Sequence, residues 1–107
     1  MPSPTDPRKW ARHPAGKQTT CDLLIDGALS FTALAVRDVA EGGVGLAVDV
    51  PVPIGKALTV QLHNPATGVF FQRSTRVVYC LPVEGGGFTL GAAFERELDS
   101  VDVVGLC

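Results

Sequence analysis

From residue 19 onward, apolar and polar positions alternate in short runs broken by Gly, Pro and Asn, the pattern of β-strands joined by tight turns. In TCDLLI, residues 20–25, Cys21, Leu23 and Ile25 share one face, and Asp26-Gly27 supplies a positive-φ turn into ALSFTALAV, residues 28–36. RDVAEGG, residues 37–43, reads as a loop, because Asp38 suits a turn and Gly42-Gly43 permit unusual backbone angles. VGLAVDV, residues 44–50, then sets Val44, Leu46, Val48 and Val50 against Gly45, Ala47 and Asp49, and Pro51 and Pro53 end it. ALTVQLH, residues 57–63, points Leu58, Val60 and Leu62 inward before Asn64 to Gly68 reverse the chain. VFFQRSTRVVYCL, residues 69–81, carries polar residues in its middle and predicts a bent or bulged strand. GGFTLGAAF, residues 86–94, puts Phe88, Leu90, Ala92 and Phe94 on one face.

After Glu95 the spacing changes, and Leu98 and Val101 predict a short helix with its acids near the start, where the helix dipole favours them. The expected fold is all-β: a small six-stranded antiparallel β-barrel with a short C-terminal helix and an extended N-terminal arm. Closure into a barrel would remove exposed sheet edges. Four prolines in residues 1–18 make regular structure there an unfavourable choice, so the division is a flexible arm over 1–18 and a barrel with its helix over 19–107.

Length and composition agree with one domain: 107 residues, 46% hydrophobic, with 12 Gly and 8 Pro. No apolar stretch approaches a membrane span and the opening MPSPTDP lacks a signal-peptide core, so a cytoplasmic protein with no membrane association is expected. Cys21, Cys80 and Cys107 lack the close spacing of a zinc or redox motif and read as reduced thiols. No metal or cofactor is implied by them.

Charge is separated along the chain. Residues 1–17 hold four basic side chains and one acid, whereas residues 18–107 hold five basic and ten acidic, giving +3 and −5. A basic arm beside an acidic body is either a solvated tail or a reach for an anion. Neither His13 nor His63 belongs to a recognisable nucleophile motif, Asp99 and Asp102 lie on a solvated helix face, and Gly85 to Gly87 lack the lysine of a phosphate loop. No catalytic motif is present, and a non-enzyme is expected.

Two short elements remain: Arg8-Lys9-Trp10-Ala11-Arg12 and Asp38-Val39-Ala40-Glu41-Gly42-Gly43. Together they resemble the PilZ domain family, whose marks are RxxxR ahead of the barrel and (D/N)xSxxG between two strands. The first is intact as Arg8 and Arg12; the second reads Asp38-x-Ala40-x-x-Gly43, with alanine in place of serine. The VGLAV that follows, the Ile54-Gly55 turn and Leu90-Gly91-Ala92-Ala93-Phe94 are similar to the family framework, so the resemblance runs from residue 8 to about 106.

The resemblance implies a bacterial signalling receptor for the second messenger cyclic di-GMP, with the arm folding over the dinucleotide. An arginine fork gives paired hydrogen bonds to guanine O6 and N7 or clamps a phosphate, which assigns Arg8 and Arg12 to ligand binding, while Lys9 adds a point charge. Asp38 would accept from guanine N1 and N2, and Gly43 would let the loop take a strained turn close to the ligand. Trp10 either stacks on a base or packs on the barrel to anchor the arm. A serine hydroxyl absent at Ala40 corresponds to about 0.5–1.5 kcal/mol, less than the roughly 1–3 kcal/mol of one arginine fork. The competing reading is a degenerate PilZ domain that binds a downstream protein partner and no nucleotide, with Ala40 as its support. Binding of DNA or RNA is not expected from an acidic body with few outward aromatics.

Overall fold

A computed structural model describes residues 11–107. Eight strands form one antiparallel sheet: β1 (His13–Pro14), β2 (Thr20–Ile25), β3 (Ala28–Thr32), β4 (Ala35–Ala40), β5 (Gly43–Val48), β6 (Ala57–Asn64), β7 (Val69–Pro82) and β8 (Phe88–Phe94). Helix α1 (Ser100–Leu106) follows. The spatial order is β1-β4-β5-β8-β7-β6-β2-β3, so β1 and β3 are the two edges and the sheet is not closed.

The all-β class is as expected, but the six-stranded barrel is replaced by an open eight-stranded sheet, and two local features account for the higher strand count. The run ALSFTALAV divides at Ala33-Leu34 into β3 and β4. There the backbone crosses the opening: Ala33 N–H donates to the Cys21 carbonyl at 2.8 Å and Leu34 N–H to the Ala47 carbonyl at 2.8 Å. The second feature is β1, a two-residue strand that pairs His13 with Val39 and Pro14 with Asp38. Proline is tolerated there because an edge position does not require its missing donor.

Alternation builds the core. Cys21 and Leu23 of β2, Leu46 and Val48 of β5, Val60 and Leu62 of β6 and Leu90 of β8 are all fully buried. Asp26 and Gly27, both with positive φ, turn β2 into β3 as the Asp-Gly dipeptide predicted. At the far turn, Asn64 is buried and donates to the Gly105 carbonyl at 3.1 Å, while its own Oδ1 accepts from Ala66 N–H at 3.0 Å. That polar staple fixes α1 against the β6–β7 end.

Two positions differ from the alternation. Val50 is exposed rather than inward, because β5 stops at Val48 and the chain bends ahead of Pro51, with Val52 buried in its place. Helix α1 buries Val103 and Leu106 and leaves Val101 exposed, since the helix begins only at Ser100 and Leu98 packs into the core ahead of it. No helix among the described residues is long and apolar enough to cross a membrane.

Candidate functional site

Asp38 is not on a loop. It lies within β4, which continues through Val39 and Ala40 and pairs with Val44 and Gly43, so the turn shrinks to Glu41-Gly42. A register shift between Val36 and Asp38 places a bulge at Arg37. Val36 and Val39 are buried, so the extra residue leaves Arg37 and Asp38 facing outward together. The same device recurs in β7, where the register shifts between Val77 and Tyr79 and Tyr79 is turned out beside exposed Val78. The polar, irregular run that predicted a bulge contains it.

The two bulges put Asp38 and Tyr79 at the ends of one row. Asp38 pairs with Gly45, Gly45 with Gly91, and Gly91 with Tyr79, across β4, β5, β8 and β7. The glycines are the floor of that row. A Cβ on Gly45 would sit 2.7 Å from Asp38 Oδ1, and the Tyr79 ring fills the space a Cβ on Gly91 would need. Carboxylate and phenol thus both lean over glycine, which larger residues would prevent.

Arg12 completes the group. Its Nη1 donates to Asp38 Oδ1 at 3.2 Å, forming an ion pair with side chains 43% and 31% exposed. At that exposure the pair is partly screened and contributes little to stability, about 0–1 kcal/mol. The Arg12 guanidinium is held above its ordinary value, chiefly by the neighbouring Tyr79 side chain and also by the Asp38 charge, against the opposing effect of partial burial. It therefore stays a cation, with further N–H donors beyond the one given to Asp38.

The remaining expected residues divide. Ala40 follows Asp38 by two positions and so shares its side of β4, yet it is only 6% exposed. Gly43 has no positive φ and makes no strained turn; a Cβ there would meet the Ala92 carbonyl oxygen at 2.7 Å, so glycine serves the close approach of β5 to β8. Arg8, Lys9 and Trp10 lie outside the described residues. Tyr79, Gly45 and Gly91 were not singled out from the sequence. Their signal was present as two glycines interrupting otherwise apolar strand patterns, but only the strand register brings them side by side.

Arg37 extends the polar surface. Its Nη1 lies 3.5 Å from Thr89 Oγ1, above the neighbouring row. The result is a partly exposed shelf with an acid at one end, an aromatic hydroxyl at the other, a cation paired with the acid, and glycine between them. It can present donors and acceptors to a flat polar ligand and has no arranged nucleophile.

These features describe a small all-β domain with a candidate site on the outer face of its sheet. A family model for the PilZ domain matches residues 6–105, nearly the whole chain, and the protein belongs to that family. PilZ is a binding and receptor family rather than a catalytic one. No curated protein matches the chain.

Proposed function

We propose that this protein is a cyclic di-GMP receptor in which Arg12, with Arg8, and Asp38 grip one guanine and its phosphate from two sides. The observation that carries the reading is the 3.2 Å approach of Arg12 Nη1 to Asp38 Oδ1, which unites the two family motifs from positions 26 residues apart. An arginine donates to guanine O6 and N7 while a carboxylate accepts from N1 and N2, so an adjacent pair of this kind complements the whole polar edge of the base. Gly45 and Gly91 add support by letting the Asp38 carboxylate and the Tyr79 ring lie down over the backbone on one face of the sheet, beside Arg12. Binding exchanges part of the Arg12–Asp38 contact for contacts to the ligand, an exchange made inexpensive by the pair's exposure.

Isothermal calorimetry with cyclic di-GMP tests this. Binding at micromolar affinity or tighter is expected, with Arg12→Ala weakening it by about 1–3 kcal/mol, roughly fivefold to somewhat over a hundredfold. No heat from the wild-type protein would overturn the reading and favour the adaptor alternative, for which Ala40 at the serine position is the supporting observation.

A further inference from the structure

We propose that Tyr79 is a positioning residue of this site, its hydroxyl bracketing the Arg12 guanidinium from the end of the row opposite Asp38 so that the arginine fork meets the ligand already aimed. The inference rests on the receptor reading and adds to it a residue that neither motif contains. Three independent features of the sheet converge on it.

First, the placement needs two interruptions of regular strand geometry. Without the shift between Val77 and Tyr79, strict alternation from buried Val77 would return Tyr79 to the inner face. The matching shift in β4 brings Asp38 out on the same row. Second, both intervening positions are glycine, and each is occupied from above by one of the two end residues: Gly45 by the carboxylate and Gly91 by the phenol ring. Tyr79 is thus held down on the sheet by its own packing, with few alternative rotamers. Third, Arg12 donates to Asp38 at 3.2 Å, and the Tyr79 side chain, its ring over Gly91 in the same row, is the foremost of the groups that hold the guanidinium above its ordinary value. A long arginine tethered at one point keeps much of its rotamer freedom, whereas two anchors fix the plane of the guanidinium before the ligand arrives.

The experiment compares cyclic di-GMP binding by wild type, Tyr79→Phe, Arg12→Lys and the double variant, and follows the Arg12 Nε–H signal by NMR in protein without nucleotide. Tyr79→Phe keeps the ring over Gly91 and removes only the hydroxyl. It is expected to weaken binding about fivefold to tenfold in the wild-type background. In the Arg12→Lys background, where no fork remains to be aimed, it is expected to weaken binding less than about twofold. The Arg12 Nε–H should exchange faster with solvent in Tyr79→Phe. Unchanged affinity in Tyr79→Phe, or equal losses in both backgrounds, overturns the positioning role while leaving the receptor reading intact. Should Arg12→Lys bind too weakly to measure, unchanged Nε–H exchange in Tyr79→Phe overturns it instead. Failure of the wild-type protein to bind cyclic di-GMP removes the receptor reading, and this proposal with it.

Discussion

Strands β6 and β4 treat the same rule in opposite ways. Along β6 every second residue is buried from Leu58 to Asn64, and its register with β7 runs unbroken from Ala57 to Asn64. Along β4 the alternation fails once, at Arg37, and that failure brings Asp38 to the outer face. The regular strand serves the core and the irregular one carries the candidate site. A bulge forfeits part of a hydrogen-bond ladder to re-aim a side chain, so the two regions should answer differently to substitution.

The largest separation is expected in stability. Leu62→Ala, which empties a fully buried position on β6, should lower the unfolding free energy by about 2–5 kcal/mol in urea titrations, whereas Asp38→Ala on β4 should change it by about 1 kcal/mol or less. Comparable losses from the two would erase the distinction between core and site strands. A smaller effect sharpens the site side. Ala40→Ser restores a hydroxyl next to the outward carboxylate and should tighten cyclic di-GMP binding by about 0.5–1.5 kcal/mol, up to roughly tenfold. Since Ala40 is 6% exposed, a hydroxyl without a ligand partner would be a buried unsatisfied group. A lower unfolding midpoint with no gain in calorimetric affinity would therefore show that position 40 belongs to packing alone.

The smallest effect separates inner from outer thiols. Burial pushes the Cys21 thiol up to about 12 from its ordinary 9.0, with the Asp22 charge adding to it, while Cys107 is exposed. Because the folded value is raised, the neutral thiol's contribution is complete below pH 9 and is lost as pH rises toward 12. The stability gap between wild type and Cys21→Ala should accordingly hold constant from pH 6 to 8 and narrow above pH 9. Alkylation at pH 8, followed by peptide mass analysis, should modify Cys107 and spare Cys21.

Much of the fold was legible because burial on one face of a strand imposes period two. Leu58, Val60 and Leu62, the turn at Asp26-Gly27, and the inward set Leu90, Ala92 and Phe94 all follow from that rule. What escaped was whatever breaks the period. ALSFTALAV contains no Gly or Pro, so nothing in its composition marks the division at Ala33-Leu34, where hydrogen bonds to Cys21 and Ala47 redirect the chain. RDVAEGG carries turn-forming residues, yet cross-strand pairing of Val39 with Val44 holds most of it extended. Of the candidate site, Arg12 and Asp38 could be picked out through the resemblance of their two motifs to the PilZ family. Tyr79 could not, because its relation to them passes through Gly45 and Gly91 on two further strands, a relation that exists only in the assembled sheet.

One carbonyl ties together parts of the chain that are nearly ninety positions apart. The Leu106 oxygen accepts from Gly16 N–H at 2.9 Å and from the Thr19 hydroxyl at 2.7 Å. The last turn of α1 is thereby riveted to the short link that leads from β1 into β2, only four residues beyond Arg12. A force that peels the helix away also loosens the footing of the arginine, and anything that clamps the arginine in place stiffens the helix in return.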